Sequence, residues 1–344
     1  MGPAPSPATD RSRIAIGADL GGTKMLVGVV AMPDATPQRG VKGASESGPE
    51  VLHVTEEASF GRSQDEVLDT MEAELRQALE AHPEARAAGL GIPCTIDHER
   101  GLAIAAVNLP IVDVPIRDIM SERLGIPVVV DNDANAAALA EHRWGAARGA
   151  RNAVLLTIGT GIGGGLIIDG KLYRGSSGAG GELGHMVIDH DGPPCQGSCP
   201  NNGCAEAVAS GTALGREAQA AAERHPDSAL GRLLEAGEEV TGRAATVAAL
   251  AGDEFAIAVI EIIGRRLGAF ASGLANVFEP DVIVFGGGVL AAGDLILGPV
   301  RDELRRRALP PMNQTRVAHA ELGPEAGMIG AATMAMDEIS NEQL

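Results

Sequence analysis

The chain has 344 residues, of which 45% are apolar and 21% are charged, so it is long enough for two domains with separate cores and is not disordered as a whole. Its 46 acidic and 27 basic residues give a formal net charge of −19, which argues against nucleic acid or an anionic membrane as the main partner. Nucleotide binding stays open, because backbone N–H groups and a metal ion usually hold a phosphate.

The amino-terminal segment, residues 1–12, is rich in Pro, Ala and Ser and has no apolar stretch typical of a signal peptide. We expect a disordered tail here. No apolar run in the chain reaches membrane-spanning length, so we expect a cytoplasmic protein with no membrane partner.

The first 150 residues alternate between predicted strands and predicted helices. Ser63 is a typical helix N-cap, and Glu66 three residues later completes a capping box. We predict strands at 13–19, 25–30, 51–57, 88–92 and 128–130, and helices at 63–81 and 133–144.

The second half begins with the pattern of the first: a strand, a glycine-rich turn and another strand. A predicted strand at 153–158 precedes Gly159–Gly161, a strand to residue 168 follows, and Asp169-Gly170 is a hairpin turn signal. This recurrence predicts two halves built on the same plan. Farther along, we predict a helix at 253–278, a strand at 281–285, and helices at 294–308 and 327–339. The alternation indicates an α/β fold with helices on both faces of the sheets.

The two glycine-rich turns, one near Asp19–Thr23 and one at Gly159–Gly165, expose backbone N–H groups that can wrap an anion. A single such turn is more often only a connection, but the pair favours a clamp for nucleotide phosphates. Asp19 could hold a hydrated Mg²⁺, which prefers one or two carboxylates with water and phosphate oxygens. The run 159–164 matches a dinucleotide-binding pattern, but a predicted strand follows instead of the required helix, and a Walker A lysine is absent after Gly22.

Asp131-Asn132-Asp133-Ala134-Asn135 follows a Val-rich strand and opens a helix, where α/β proteins place ligand sites. Helix capping requires only one such polar residue. Four polar residues in five therefore favour a function, such as an Asp that accepts a proton from a substrate hydroxyl.

Three of the four cysteines lie within ten residues, at Cys195, Cys199 and Cys204, and His185 precedes them. One His with three Cys is a complete tetrahedral set for structural zinc, whereas three free thiols in an exposed loop would be reactive. Glu182, His185 and Glu206 lie next to this segment and are candidates for contacts to a polyhydroxylated ligand.

Several of these motifs, in this order, resemble the ROK family of repressors, open reading frames and kinases. The matching motifs are Asp19-Leu-Gly-Gly-Thr-Lys24, Asn132-Asp-Ala-Asn135, Gly159-Thr-Gly-Ile-Gly-Gly-Gly165, Glu182-Leu-Gly-His185 and Gly203-Cys-Ala-Glu206. The likeness extends from about residue 13 to about residue 336.

The resemblance implies an actin-like ATPase fold, related to ribonuclease H, in which two α/β domains flank a cleft. The small domain is expected at 13–136 plus 325–344, and the large domain at 137–324 with a zinc-binding loop at 185–204. Asp133 would be the catalytic base. The sugar contacts would be Asn108, Asn132, Asp133, Glu182, His185 and Glu206. The nucleotide contacts would be Asp19, Gly21, Gly22, Thr23, Lys24, Thr160, Gly161, Gly286, Gly287 and Gly288. The zinc ligands would be His185, Cys195, Cys199 and Cys204.

Two departures from the family pattern stand out. The family's zinc run is Cys-x-Cys-Gly-x-x-Gly-Cys, but three residues separate Cys195 from Cys199 and Pro200 replaces the Gly. This makes Cys195 the least secure of the four ligands. In addition, Cys94 stands where the family often has Gly, which is expected to reshape a turn on the sugar side.

The function expected from the resemblance is ATP-dependent phosphorylation of a hexose, first of all glucose to glucose 6-phosphate, with Mg²⁺ and Zn²⁺ as cofactors. Other sugars stay open as substrates, namely N-acetylmannosamine, N-acetylglucosamine, fructose or allose, and so does polyphosphate as donor. A non-catalytic sugar-sensing repressor is a further alternative, which the acidic charge disfavours. The resemblance suggests a homodimer or homotetramer.

Overall fold

A computed structural model of the protein describes residues 13–21, 24–33, 48–58, 63–106 and 109–341. The predicted disordered tail at 1–12 lies outside these ranges. Three predicted site residues, Gly22, Thr23 and Asn108, also lie outside them.

The described part of the chain contains thirteen strands. In chain order they are β1 (Ile14–Leu20), β2 (Met25–Ala31), β3 (Glu50–Glu57), β4 (Ala88–Ile92), β5 (Cys94–Asp97), β6 (Leu102–Ala106), β7 (Val112–Val114), β8 (Val128–Asn132), β9 (Ala153–Ile158), β10 (Ile162–Ile168), β11 (Lys171–Tyr173), β12 (Val282–Gly286) and β13 (Arg316–His319).

The α-helices in these ranges are α1 (Gln64–Ala81), α2 (Ile116–Leu124), α3 (Asp133–Trp144), α4 (Ala205–Ala209), α5 (Gly211–Arg224), α6 (Ala229–Glu235), α7 (Gly242–Leu250), α8 (Glu254–Phe278), α9 (Asp294–Arg307) and α10 (Ala326–Asn341). Short 3₁₀ helices lie at Leu183–His185, Gly288–Ala292, Met312–Gln314 and Gly323–Glu325. No helix in the described ranges combines the length and the apolar character that a membrane crossing requires.

The predicted strands and helices are confirmed to within two residues at their ends. Helix α1 begins with the predicted capping box, in which the Ser63 hydroxyl accepts from the Glu66 N–H and the Glu66 carboxylate accepts from the Ser63 N–H. The sequence analysis missed strands β5 to β7 and β13, and helices α2 and α4 to α7. Strands β5 to β7 have between three and five residues, and only four of their twelve residues are buried, so their apolar pattern is weak.

The chain folds into two compact units. Unit 1 comprises Met1–Gly149, Arg174–Gly180 and Pro324–Leu344, and unit 2 comprises Ala150–Tyr173 and Gly181–Gly323. The boundary expected after residue 136 differs from this division, because it falls inside α3. That helix packs on α10 through Ala136 and Leu139 against Ala331 and Met334, so all of it belongs to unit 1.

The five-stranded sheet of unit 1 has the order β3-β2-β1-β4-β8, and that of unit 2 has the order β11-β10-β9-β12-β13. In each sheet three antiparallel strands in sequence are followed by two strands parallel to the first. The same order in both units confirms the expectation of two halves built on one plan. Parallel strands end at the same edge of a sheet, so loops after β1, β4 and β8 share one edge in unit 1, and loops after β9 and β12 share one edge in unit 2.

Each unit has its own apolar core. In unit 1 the core includes Ile16, Leu90 and Val130 from the sheet, together with Met71 and Leu75 from α1. In unit 2 the core lies between the sheet and helices α4 to α9, with Phe270 and Phe285 among its largest fully buried side chains. Trp144, the single tryptophan of the chain, ends α3, and its indole Nε1 donates to the Thr333 hydroxyl of α10 at 3.2 Å.

Candidate active site

Two carboxylates meet at the carboxyl edge of the unit 1 sheet. Asp19 lies near the end of β1, and Asp133 is the first residue of α3, directly after β8. Asp19 pairs in register with Gly91 of β4, where an added Cβ would lie 3.3 Å from the Asp133 Cα. Burial and then the negative charge of Asp133 raise the pKa of Asp19 to about 7, against the opposing effect of the Lys24 ammonium. This edge therefore holds two carboxyl groups that interact electrostatically, one of them buried.

Lys24, a predicted nucleotide contact, makes an ion pair with Glu56 of β3, with 2.7 Å between its Nζ and the carboxylate Oε2. Both side chains are about half exposed. Gly21 closes the described side of the turn by donating its N–H to the Lys24 carbonyl at 2.8 Å.

The polar run 131–135 serves both capping and charge burial. Asn132 is the N-cap of α3, and its Oδ1 accepts from the N–H groups of Ala134 and Asn135. Asp131 is fully buried, and its Oδ1 accepts from the Asn135 Nδ2 at 2.9 Å and from the Asn132 N–H at 2.7 Å. Asp131, Asn132 and Asn135 thus bond to one another and to the first turn of α3, and Asp133 lies partly exposed at the same helix end.

Arg174 completes this network, and the sequence analysis did not single it out. Its Nε donates to the Asp131 Oδ2 at 2.5 Å. On the other side, the His98 Nδ1 lies 3.7 Å from the same oxygen and 3.2 Å from the Val130 carbonyl. A lone arginine after a short strand carries no spacing signal, so nothing in the sequence could have paired it with a residue 43 positions earlier.

Cys94, the departure from the family pattern in unit 1, is the buried first residue of β5. Burial, and then the charge of Asp133, raises the pKa of its thiol to about 12. Its carbonyl accepts from the Asn132 Nδ2 at 3.4 Å. The thiol is therefore protonated at neutral pH, and its backbone supports the N-cap of α3.

In unit 2 the turn Gly159–Gly161 joins β9 to β10. The Gly159 carbonyl accepts from the Gly211 N–H at 2.8 Å, and the Thr160 carbonyl accepts from the Thr212 hydroxyl at 2.9 Å. In a trans peptide the C=O and N–H point in opposite directions. Because α5 holds both carbonyls, the N–H groups of Thr160 and Gly161 point away from that helix, which is the arrangement that binds an anion.

The second glycine run of unit 2 lies at the same sheet edge. Gly286 ends β12 and pairs in parallel with Thr157 of β9, so Gly286–Gly288 and Gly159–Gly161 follow neighbouring parallel strands. Gly287 has a φ of 91° and begins the turn into the short 3₁₀ helix after β12. Neighbouring parallel strands thus place the two predicted nucleotide-contacting runs side by side in unit 2.

The four predicted metal ligands, His185, Cys195, Cys199 and Cys204, converge in unit 2, with one ligand atom from each within 4.8 Å of all the others. The Cys199 and Cys204 sulfurs are 3.8 Å apart, and the Cys195 sulfur lies 3.5 Å from the His185 Nδ1. Tetrahedral zinc with ordinary bond lengths requires about 3.8 Å between two sulfurs and about 3.5 Å between sulfur and nitrogen. The donor set and both distances therefore fit zinc.

The longer Cys195–Cys199 interval does not remove Cys195 from this cluster. Its N–H donates to the Asn201 carbonyl at 2.9 Å, which folds the loop back on itself. Gly203, with φ at 65°, completes the fold, since an added Cβ there would collide with the Asp189 carbonyl. The extra residues are accommodated in the loop between the two sulfurs.

Glu206 lies between the cysteine cluster and the glycine turn. Its Oε2 accepts from the Ile162 N–H at 2.8 Å, and its Oε1 lies 3.9 Å from the Cys195 sulfur. Glu182, at the start of the 3₁₀ helix that carries His185, is solvent-exposed but its carboxyl is crowded by protein atoms. This desolvation raises the pKa of Glu182, a positive charge on His185 lowers it, and the Glu206 carboxylate raises it.

The whole chain can be compared with known proteins. The sequence profile of the ROK family matches residues 15–338. The chain belongs to the ROK family.

Among individual ROK proteins, the glucokinase of Thermotoga maritima is 33% identical over 326 residues, which cover 94% of this chain and 98% of that one. A crystal structure of a ROK family glucokinase from Streptomyces griseus, in complex with glucose and AMPPNP, is 34% identical with a TM-score of 0.80, and the match covers 94% of this chain and 99% of that one. A putative xylose repressor from a Caldicellulosiruptor species is 32% identical, over 81% of this chain and 71% of the repressor.

These comparisons confirm the predicted fold class. ROK glucokinase structures have the actin-like ATPase fold, and the α/β units of this chain match them over nearly their whole length. The ROK family contains both kinases and repressors, so the family alone does not choose between those activities.

Proposed function

We propose that this ROK protein is a sugar kinase that transfers the γ-phosphoryl group of ATP to a hexose, with the O6 hydroxyl of glucose as the first candidate acceptor. The observation that carries the proposal is the pair Asp19 and Asp133 at one sheet edge, in a chain similar to glucokinases over 94% of its length. A kinase requires a base for the acceptor hydroxyl and a carboxylate for Mg²⁺, and this pair could supply both.

Asp133 would act as the general base. As the first residue of α3 it is partly exposed, and its backbone is fixed by the Asn132 cap and the buried Asp131. Taking the proton from the sugar hydroxyl as the phosphoryl group arrives prevents a positive charge from building up on the attacking oxygen. Phosphoryl transfer has a loose transition state, so the remaining work is positioning and charge neutralisation.

Asp19 would be the carboxylate of a Mg²⁺ site. The crowding that raises the pKa of Asp19 fits this role, since a bound cation relieves the repulsion between Asp19 and Asp133. Mg²⁺ in kinases neutralises phosphate charge and is held by one or two carboxylates, waters and phosphate oxygens.

The nucleotide would bind unit 2 through Gly159–Gly161 and Gly286–Gly288. The outward N–H groups of Thr160 and Gly161 support a phosphate contact, and the neighbouring run after β12 supports an adenosine contact. Gly21, Gly22, Thr23 and Lys24 would contribute phosphate contacts from unit 1.

The sugar would be contacted by Asn108, Asn132, Asp133, Glu182, His185 and Glu206. Zinc held by His185 and the three cysteines would order the loop that contains His185 and is flanked by Glu182 and Glu206, a structural role. Coordination through the His185 Nδ1 would leave its Nε2 for a hydrogen bond to a sugar hydroxyl.

Two alternatives within the kinase class stay open. The acceptor could be N-acetylmannosamine, N-acetylglucosamine, fructose or allose, because carboxylates and an imidazole can bind the hydroxyls of any of them. Polyphosphate could replace ATP, since a turn of backbone N–H groups binds any terminal phosphate.

A glucokinase would act in glycolysis in the cytoplasm, and we propose a homodimer or homotetramer.

A coupled assay over a small matrix of sugars and donors tests the proposal. We expect glucose with ATP and Mg²⁺ to give the highest kcat/KM. If another sugar or polyphosphate gave the highest kcat/KM, the assigned substrate would change, but the assignment as a kinase would stand. Absence of turnover with every pair, together with sugar-dependent binding to a promoter library, would assign the chain to the repressors.

A further inference from the structure

Gln196 lies in the lengthened interval between Cys195 and Cys199, and its side chain reaches out of the metal-binding loop. Its Nε2 donates to the Thr160 carbonyl at 3.3 Å and to the Ser210 hydroxyl at 3.2 Å. Its Oε1 lies 3.2 Å from the Thr212 hydroxyl, whose single proton is shared between this oxygen and the Thr160 carbonyl. Both hydrogen-bonding ends of this amide are therefore used in unit 2, and both are used on the glycine turn or on the helix that supports it.

The contacted groups are those that orient the turn. The Thr160 carbonyl belongs to the same peptide as the Gly161 N–H, so holding that carbonyl fixes the direction of that N–H. Ser210 is the N-cap of α5, with its hydroxyl accepting from the Ala213 N–H, and it is fully buried. Gln196 thus connects the loop to both the peptide and the cap.

We propose that Gln196 is a positioning residue through which the metal-binding loop holds the Gly159–Gly161 turn in the orientation that binds the phosphates of ATP. The inference rests on the proposed function, because it requires a phosphate at this turn. It goes further by making nucleotide affinity, as well as sugar affinity, depend on the ordered loop.

The structure supports a directed connection rather than general packing. The loop itself is held by its ligands and by the Cys195–Asn201 hydrogen bond, while Gln196 is the loop residue whose side chain bonds to the turn in the described hydrogen bonds. Removing its amide leaves the ligand set complete. Loss of a hydrogen bond of this kind is expected to weaken AMPPNP binding about threefold to tenfold.

The test uses the full-length, zinc-loaded protein and compares Gln196→Ala with Gln219→Ala. Gln219 lies half-buried on α5, and its side-chain hydrogen bond among the described residues runs along that helix to Glu223, so it is the matched control. The dissociation constants of AMPPNP with Mg²⁺ and of glucose are measured by calorimetry, and bound zinc is measured by mass spectrometry. We expect weaker AMPPNP binding in Gln196→Ala alone, with glucose affinity and zinc content unchanged.

Thr212 supplies a second pair of variants, because its hydroxyl donates to the same carbonyl. Thr212→Val removes that donor and should weaken AMPPNP binding, whereas Thr212→Ser keeps it and should restore binding. The double variant of Gln196→Ala and Thr212→Val should lose less than the product of the two single losses, since both act on one peptide.

Partial removal of zinc by a chelator tests the connection to the loop. In the wild-type protein it should weaken AMPPNP binding, and in Gln196→Ala the further loss should be smaller. Equal losses in the two proteins, unchanged AMPPNP affinity in Gln196→Ala, or a joint loss of zinc and both affinities in that variant would each overturn the inference. Failure of wild-type protein to bind AMPPNP at all would instead reject the proposed function.

Discussion

The Arg174 guanidinium donates to the fully buried carboxylate of Asp131 at 2.5 Å, two residues before the proposed base. Three further groups surround that carboxylate: the Asn135 amide, the Asn132 N–H and the His98 ring. A segment from after β11 thereby fixes the start of α3.

We expect Arg174→Met to destabilise the protein by about 3 kcal/mol, because it leaves a buried carboxylate without its cation. Arg151→Met is the matched control, since the Arg151–Asp169 pair has side chains that are 76% and 65% exposed and should cost less than about 1 kcal/mol. Urea unfolding of the three proteins measures the difference. Equal losses in both variants would mean that the Asp131 pair contributes no more than a surface pair.

Asp133→Asn should lower kcat about 10²- to 10⁴-fold while the dissociation constant of glucose stays near that of the wild type, since the amide keeps the shape of the side chain but cannot accept the proton. Asp118→Asn, an exposed position on α2, is the control and should keep full turnover. Glucose binding is measured by calorimetry and turnover by a coupled assay. Near-normal turnover in Asp133→Asn would exclude it as the base.

Asp19 predicts a pH-dependent stability. Its folded pKa of about 7 lies above the unfolded value of about 3.9, so between these values the folded state holds an extra proton and wild-type stability falls as the pH rises through this window. Asp19→Asn mimics the protonated acid and lacks this loss. Without Mg²⁺, we expect its melting temperature to exceed that of the wild type by several degrees at pH 8 and the difference to vanish near pH 4. A difference that is constant with pH would show that the titration of Asp19 is not its cause.

Cys195→Ala should lose the bound zinc and lower both the melting temperature and the glucose affinity, as should Cys204→Ala, because three ligands hold the ion less tightly than four. Cys94→Ala is the control, since that cysteine lies in unit 1, outside the ligand cluster. Zinc is counted by mass spectrometry on natively purified protein. A full zinc content in Cys195→Ala would remove Cys195 from the ligand set.

Gly161→Ala should impair turnover far more than Gly159→Ala. A Cβ at Gly161 would collide with the Glu206 carboxylate, which bonds the next residue of the turn, whereas a Cβ at Gly159 meets no atom within 4 Å. The first change therefore displaces the turn and Glu206 together. The kcat and the KM values for ATP and glucose are measured in both variants, and equal kcat/KM values for the two variants would contradict the prediction.

Much of the fold was predictable because long elements with strong apolar periodicity dominate it. In helix α1 and strands β1, β9 and β12, the local sequence pattern that predicts the element agrees with the residues that the fold buries. The small sheet β5–β7 was not predictable, since its strands are short and partly exposed. The expected boundary after residue 136 differs from the end of this part of unit 1 at Gly149, because the boundary depends on α3 packing on a helix nearly two hundred residues later.

For the candidate site, the metal cluster was predictable because four ligand types lie close together in the sequence. The contacts of Arg174 with Asp131 and of Gln196 with Thr160 were not, since each joins residues more than thirty positions apart through side chains with no distinctive spacing. In the run 131–135, the number of polar residues alone does not assign a role to each of them. The structure shows that Asp131 and Asn132 also serve burial of charge and capping of α3, which the number of polar residues could not reveal.

Trp144, whose indole donates a hydrogen bond to Thr333, is a built-in fluorescent probe at a defined position. Because the chain has one tryptophan, its intrinsic fluorescence comes from a single position, where α3 meets α10 in unit 1. The one tyrosine, Tyr173, belongs to unit 2. Unfolding followed by tryptophan emission thus reports on unit 1 alone, whereas circular dichroism reports on both units. Coincidence or separation of the two curves would reveal, without any label, whether the halves melt as one cooperative body.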